Sequence, residues 1–422
     1  MKQTELIPHL FRTEYRKITA VLCKHFGIEH IEIAEDIASD TFLMATETWG
    51  LKGLPQNPTA WLYVVAKNKT KDYFKHNAVF NNKVAKYIST STCVTDEIDL
   101  SKQNITDSQL QMMFAICNPL ITAEAQIALS LRILCGFSID EIADAFLIKK
   151  ETIKKRLVRA KETLRKGKVK IEFPNDAEIN ERLDTVLTTL YLLFTEGYYS
   201  SNQDTIIRKD LCLEAMRLAC LLIENRDTNK PQVNALLSLM CFHSSRFEAR
   251  TKNNGEIILY QDQDESLWNK ELIDKGEYYL NLSSRGFSVS KYHLEAGIAY
   301  WHTIKADTKE KWENILQLYN QLLQIEYSPI AALNRTYAIA KARHNAEAIA
   351  EAEKLNLSDN HLYHLLLGEL YLNLDNSKSI SHYKTALKLA KLTTDKAFIA
   401  NKIITCRQEK QWPVSDFVRD KA

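Results

Sequence analysis

The chain has little glycine and proline, and it has no long hydrophobic run. Its 422 residues include 11 glycines and 8 prolines, and alternating runs of β-branched residues are rare. Few helix breakers and few strand-like runs favour helices almost throughout, so we predict an all-α fold. A chain of this length is too long for one hydrophobic core, which predicts at least two domains.

Several kinds of segment and site are also missing from the sequence. No apolar stretch approaches the ~20 residues that span a bilayer, and the N-terminus has no apolar signal-peptide core, so we expect a cytoplasmic protein. The eight cysteines are scattered, with neither a C-x-x-C motif nor zinc-like spacing to histidines. Without a Gly-rich phosphate loop, a nucleophile elbow or an H-E-x-x-H motif, we expect no enzyme activity, no cofactor and no metal.

The net charge of +2 conceals a strongly basic segment at 149–170. This segment carries eleven Lys or Arg against Glu151 and Glu162, a net charge of +9. A block this basic on a predicted helix indicates a polyanion such as nucleic acid as partner. A basic helix that only faces solvent is the alternative.

A helix-turn-helix is predicted by GFSIDEIADAFLIKKETIKKRLVRAKETLRK at 136–166. Ser138 and Glu141 have the spacing of a capping box that begins a short first helix. In the second helix, around 151–164, Ile153 and Leu157 would face the core, and the cations would face outward to contact phosphates and base edges in a major groove. The predicted DNA-binding residues here are Lys149, Lys150, Thr152, Lys154, Lys155, Arg156 and Arg159.

Two segments nearer the N-terminus combine charge with apolar or aromatic residues. In AEDIASDTFLMATETWG, at 34–50, helical spacing puts Asp36 and Asp40 on one exposed face, while Ile37 and Phe42 turn inward. The next segment, LPQNPTAWLYVVAKNKTKDYFKHN at 54–77, mixes cations that could follow phosphates with aromatic rings that could hold unstacked bases. Its candidate residues are Asn57, Trp61, Lys67, Asn68, Lys71, Tyr73 and Lys75, although a place in the core is a strong alternative for Trp61.

The order of these motifs resembles region 2, a polar linker and region 4 of bacterial RNA polymerase sigma factors of the extracytoplasmic-function type. The resemblance implies that 57–75 contact the promoter −10 element and 149–159 the −35 element. It further implies that Glu35, Asp36, Asp40 and Phe42 bind the β′ clamp helices of core RNA polymerase, and that region 4 meets the β flap. A helix-turn-helix regulator that never joins polymerase remains the main alternative, and a repeat scaffold with a basic insert is a third.

We predict five segments: region 2 at 1–80, a flexible linker at 81–110, region 4 at 111–174, a helical extension at 177–288 and helical repeats at 289–412. In the last segment Leu333 and Leu367 are 34 residues apart, as are Tyr337 and Tyr371, a period that resembles tetratricopeptide repeats. Such a domain would regulate the factor by holding an unknown ligand or protein. The Asn-Asn-Gly run at 253–255 predicts a turn or small hairpin.

A group of polar residues in 196–268 has no role in this resemblance. They could line a ligand pocket, or they could form a buried polar network that only joins helices. The group consists of Glu196, His243, Arg246, Arg250, Gln261, Asp262, Asp264 and Trp268.

Overall fold

The computed structural model describes residues 3–84, 98–146, 148–198, 208–250, 258, 260–286, 288–390 and 393–408. Every regular element within these ranges is helical and none is a strand, which confirms the all-α prediction. None of the helices described is both long and apolar enough to cross a membrane. The chain divides into two compact units, Met1–Leu193 with Cys220–Thr228, and Phe194–Ala219 with Asn229–Ala422.

The first unit is a helical bundle. Its helices are α1 (Gln3–Phe26), α2 (Ile31–Lys52), α3 (Pro58–Val84), α4 (Lys102–Ile116), α5 (Ala123–Leu129), α6 (Ile139–Phe146), α7 (Lys150–Lys166) and most of α8 (Asp176–Tyr198). Helix α1 packs against α2, α3 and α4. The rings of Phe11, Tyr15 and Phe42 meet where α1 crosses α2, with centroids 4.7 Å apart for Phe11–Tyr15 and 5.0 Å apart for Phe11–Phe42.

Part of the segment predicted as a linker is helical. Helix α4 begins at Lys102, and Ser101 caps it by accepting a hydrogen bond from the Asn104 amide at 3.3 Å. Ile105 and Leu110 are buried against the bundle. The sequence did not predict this helix because 101–108 is rich in Ser, Thr, Asn and Asp, residues that are also typical of linkers.

The predicted helix-turn-helix is formed by α6 and α7. The capping box that begins α6 is confirmed: the Ser138 amide donates to Glu141 Oε2 at 2.8 Å, and the Glu141 amide donates to Ser138 Oγ at 3.1 Å. Ile142 of α6 is buried, as are Ile153 and Leu157 of α7. These apolar contacts fix the second helix of the motif against the bundle and leave its other side open.

The second unit contains most of α9 and all later helices. They are α9 (Lys209–Glu224), α10 (Pro231–Ser244), α11 (Phe247–Arg250), α12 (Lys270–Ser283), α13 (Lys291–Trp301), α14 (Lys309–Ile325), α15 (Pro329–Ala342), α16 (Asn345–Leu355), α17 (His361–Tyr371), α18 (Asn376–Leu389) and α19 (Thr393–Gln408). From α13 onward each helix packs against the next in the chain. The turn predicted at 253–255 lies outside the described residues.

One close helix crossing explains the Leu-Gly-x-x-Tyr pattern of α17. A Cβ atom on Gly368 would lie 2.5 Å from Cε1 of Tyr383 on α18, and Tyr383 is fully buried. Ser379 Oγ of α18 donates to the Gly368 carbonyl oxygen at 2.7 Å. Glycine therefore lets two backbones approach at this crossing.

Candidate nucleic-acid and polymerase interface

The predicted DNA-binding residues of α7 lie outside the face of the helix that packs against the bundle. Ile153, Leu157, Ala160 and Leu164 are buried. Arg156 is half-buried, and the other predicted residues are exposed: Lys149, Lys150, Thr152, Lys154, Lys155 and Arg159. All seven predicted residues therefore lie on the part of α7 and its N-cap that the core leaves accessible, and residues 149–159 are called the cationic ridge.

Two cations of the ridge hold nearby carboxylates. Lys150 Nζ lies 2.7 Å from Asp140, and Lys154 Nζ lies 3.1 Å from Glu151. Both pairs are well exposed, so each contributes little to stability and can exchange its carboxylate for a phosphate. Arg156 and Arg159 line a shallow groove together with Leu120 and Thr122, which precede α5.

Helix α3 carries the second set of predicted DNA-binding residues. Asn57 Oδ1 accepts the Ala60 amide hydrogen at 3.0 Å, so Asn57 caps the start of the helix while it stays exposed. Lys67, Lys71 and Lys75 recur at four-residue intervals and form one stripe along α3, with Asn68 exposed beside it.

The two aromatic residues of this set are half-buried. Trp61 packs edge-on against buried Trp49, with centroids 5.3 Å apart. Tyr73 packs edge-on against Phe26 at 5.6 Å. Both rings therefore contribute to the bundle, and part of each stays accessible.

The four residues predicted to bind polymerase divide into two pairs. Asp36 and Asp40 are exposed on one face of α2, as predicted, and Asp40 lies 3.4 Å from Lys69 Nζ. Glu35 and Phe42 are buried within the first unit. Because both side chains are buried, neither Glu35 nor Phe42 is placed to touch a partner in this arrangement. Glu35 is buried although its neighbour Asp36 is exposed, since successive residues of a helix point about 100° apart.

Buried Glu35 connects region 2 to the helix-turn-helix. Its carboxylate accepts hydrogen bonds from Arg132 Nε at 2.8 Å and from Lys161 Nζ of α7. Arg132 also donates to the Tyr15 hydroxyl and to the Phe137 carbonyl, each at 3.1 Å. This network joins α1 and α2 to α7 and to Phe137, which precedes the capping box of α6.

Sequence reasoning missed the role of Arg132 and counted Lys161 only in the net charge of the basic segment. A signal for Lys161 was present: it follows Leu157 by four residues and precedes Leu164 by three, which puts it on the buried face of α7. Nothing in the local sequence singles out Arg132, because its partner Glu35 is 97 residues away.

Exposed apolar side chains beside the acidic face were also missed. Leu43 and Met44 are exposed on α2, and Leu51 near its end is 88% exposed. Asp36, Asp40, Met44 and Leu51 follow one another at intervals of four, four and seven residues, so they form one stripe along the helix, called here the acidic–apolar stripe. Apolar side chains grouped at a surface indicate a protein interface.

Comparison with known proteins agrees with this geometry. Residues 10–79 match sigma-70 region 2, residues 121–164 match sigma-70 region 4, and residues 182–284 match a family of unknown function (DUF6596). The chain is 31% identical over 380 residues to an uncharacterized protein of Rhizobium meliloti (strain 1021), an alignment that covers 88% of this chain and 89% of that protein. No solved structure gives a significant match.

The two sigma-70 matches fall on the two modules that the structure defines. Region 2 covers α1 to α3 and region 4 covers the helix-turn-helix. Sigma-70 proteins are transcription initiation factors rather than enzymes, and they bind core RNA polymerase and promoter DNA. With both regions present in order, the chain belongs to the sigma-70 family of RNA polymerase sigma factors.

Proposed function

We propose that the protein is a sigma factor of the extracytoplasmic-function type that acts in the cytoplasm. It binds core RNA polymerase and directs it to promoters through −10 and −35 elements, while its C-terminal unit regulates that activity. The observation that carries the proposal is the pairing, in one chain, of the cationic ridge on α7 with the acidic–apolar stripe on α2. A DNA-binding regulator that never joins polymerase would explain the ridge and leave the stripe without a function.

The ridge is the proposed reader of the −35 element. Arg156 and Arg159 are the residues best suited to bases, because a guanidinium can donate two hydrogen bonds to one guanine edge. The lysines and Thr152 would contact phosphates and fix the position of α7 in the groove. The stripe of lysines on α3, with Asn57, Trp61 and Tyr73 near it, is the proposed contact with the −10 element.

The acidic–apolar stripe is the proposed contact with the β′ clamp helices. Its carboxylates would pair with basic residues of the partner, and Met44 and Leu51 would lose their exposure to water on docking. Region 4 would meet the β flap on a surface other than the ridge, since the ridge faces DNA.

Reaching both promoter elements requires region 2 and region 4 to separate. Elements named −35 and −10 are about 25 base pairs apart, which is roughly 85 Å at ~3.4 Å per base pair. Glu35 of region 2, however, bonds Lys161 of region 4 directly. We propose that the contacts of Glu35 break when polymerase and promoter are engaged, and that binding to both offsets the cost of exposing these charges.

The helices from α13 to α19 are proposed to be a tetratricopeptide-like array. The support is the 34-residue period, the packing of each helix on its successor and the glycine crossing between α17 and α18. Arrays of this kind hold a peptide or other ligand on an extended surface, which suits a regulatory role.

The test is association of the full-length protein with core polymerase, followed by runoff transcription. Changing Asp36 and Asp40 to Lys should weaken core binding at least tenfold, because two attractive contacts become repulsive. The matched control reverses two carboxylates of the C-terminal unit, Glu271→Lys and Glu277→Lys, which are exposed on α12. If the unaltered protein does not bind core polymerase at all, the alternative regulator is correct.

A further inference from the structure

Three cationic side chains surround one tyrosine ring in the second unit. Tyr260 lies in a short 3-10 turn, Tyr260–Asp262. The distances to its ring centroid are 5.6 Å from Cζ of Arg246, 5.4 Å from Nζ of Lys305 and 5.0 Å from Nζ of Lys311. Arg246 lies between α10 and α11, Lys305 follows α13 and Lys311 is in the first turn of α14, so four separate segments converge here.

Two of these cations are buried and have no carboxylate partner within the described part of the chain. Lys311 is 1% exposed, and its Nζ donates to two neutral acceptors, the Tyr260 hydroxyl at 2.9 Å and the Ile304 carbonyl at 2.5 Å. Arg246 is 7% exposed; its Nε has no hydrogen-bond partner, and its guanidinium forms no ion pair with any residue that the structure describes. A buried charge that is neither paired nor fully hydrogen-bonded is costly.

The carboxylate that acts on Lys311 is already bound elsewhere. Asp307 accepts hydrogen bonds from Lys341 Nζ at 2.7 Å and from Trp312 Nε1. Burial lowers the pKa of Lys311 to about 8, and Asp307 opposes that shift while the neighbouring cations Arg246, Lys305 and Lys341 add to it. The only carboxylate that acts on Lys311 among the described residues is therefore already paired with another lysine.

Neutral donors complete the cluster. Trp268 is buried, and its indole Nε1–H has no acceptor within the described part of the chain. His302 Nδ1 is likewise without a described partner, and burial with nearby Arg246 and Lys311 holds the pKa of His302 at about 3, so this imidazole is neutral at pH 7. Tyr260, His302 and Lys305 are only half-buried, which gives the cluster a side open to solvent.

We propose that this cluster is a binding site for the phosphoryl group of a small phosphorylated ligand. A phosphate monoester carries about −1.5 to −2 charges at pH 7, which matches the combined charge of the two uncompensated cations, Arg246 and Lys311. A single carboxylate would neutralise only half of that combined charge. Arginine and lysine form short, strong hydrogen bonds to phosphate oxygens, and the Trp268 indole N–H can donate a further one. The site belongs to the second unit, and its existence does not depend on the proposed promoter recognition.

The test compares thermal unfolding of the full-length protein in inorganic phosphate, adenosine monophosphate and acetate, each against sodium chloride at equal ionic strength. A phosphoryl site predicts a rise in Tm of roughly 5–10 °C at a hundredfold excess over Kd. Acetate should give at most a small rise. A larger shift with adenosine monophosphate than with inorganic phosphate would identify a phosphorylated metabolite as the ligand, and the reverse would identify the free anion.

Two variants separate this site from a structural network. Lys311→Met and Arg246→Met should each abolish the phosphate-dependent shift, while the Tm without phosphate stays equal or rises because an uncompensated buried charge is gone. Lys309→Met, two residues earlier on α14 and exposed, makes the same change in net charge and should keep the full shift. Should Lys311→Met not fold, calorimetric titration of phosphate into Arg246→Met decides.

Two results would overturn the proposal. One is a Tm of the unaltered protein that is as high in sodium chloride as in phosphate, or a phosphate-dependent shift that is as large in the Lys311→Met protein as in the unaltered protein. Either result would indicate an adventitious ion only. The other is a Tm that falls in both variants with no phosphate-dependent shift in the unaltered protein, which would make the cluster a structural network.

Discussion

At the scale of single residues, position on a helix decides what a cation does. Lys161 and Arg159 are two residues apart on α7, yet Lys161 is buried against Glu35 and Arg159 faces solvent. One cation, Lys161, therefore stabilises the first unit, whereas the other, Arg159, belongs to the cationic ridge. The sequence alone identified the basic segment. The helical period decides which of its cations face the core and which face solvent.

Replacing Arg156 or Arg159 by Ala should weaken promoter binding by ~1–3 kcal/mol each if they contact bases. The loss should be specific to the bases contacted, so a promoter altered in its −35 element should show a smaller difference between variant and unaltered protein. The measurement is promoter binding by the polymerase complex at fixed salt, with Arg343→Ala, an exposed arginine of the second unit, as control. If the unaltered protein and all three variants bind the promoter with equal affinity, the cationic ridge does not contact the −35 element.

At the scale of helices, close crossings depend on small residues. The 34-residue period predicted helical repeats in the C-terminal region, and one close crossing of such helices is the Gly368–Tyr383 contact. By contrast, residues 102–110 of α4 were predicted as part of a linker because their polar side chains suit either state. Local propensity could not distinguish a helix from a linker in this segment. The tertiary structure does so, because Ile105 and Leu110 are buried against α1.

Gly368→Ala should lower the Tm of the second unit although alanine favours helices. The gain of up to ~1 kcal/mol in helix propensity is outweighed by the ~1–3 kcal/mol of overpacking against a buried ring. Gly50→Ala in α2 is the matched control, because nothing lies within 4 Å of the added Cβ. Thermal unfolding followed by circular dichroism should show a lower Tm for the first variant and an equal or higher Tm for the second; a stabilised Gly368→Ala protein would contradict the crossing.

At the scale of the whole molecule, the described state holds region 2 and region 4 together. Lys161 and Arg165 of α7 bond Glu35 and Glu32 of α2, the latter at 2.9 Å between Arg165 and Glu32. These contacts join residues more than 120 positions apart, so no local pattern predicts them. If the two modules contact the −10 and −35 elements as proposed, the protein in this state can occupy one promoter element at a time.

Energy transfer between labels at Glu29→Cys and Glu162→Cys should be high in the isolated protein and fall in the promoter complex. Both positions are exposed, and the 3-10 turn that contains Glu29 packs against α7. The labels would be placed in a background where half-buried Cys220 and Cys93, which lies outside the described residues, are serine; the six other cysteines are buried. Promoter DNA without a −35 element should leave the transfer high; unchanged transfer in a transcribing complex would show that the modules never separate.

The sequence by itself determined the helical class, the capping box of α6, the cationic ridge and the exposed pair Asp36 and Asp40. These follow from spacing along one helix, because a period of 3.6 residues fixes which side chains share a face. Only the tertiary structure decided that Glu35 is buried under Lys161 and Arg132, and that Arg246, Lys305 and Lys311 meet around Tyr260. Those groups come from distant segments, and the strength of each charge interaction depends on the partners and burial that folding supplies.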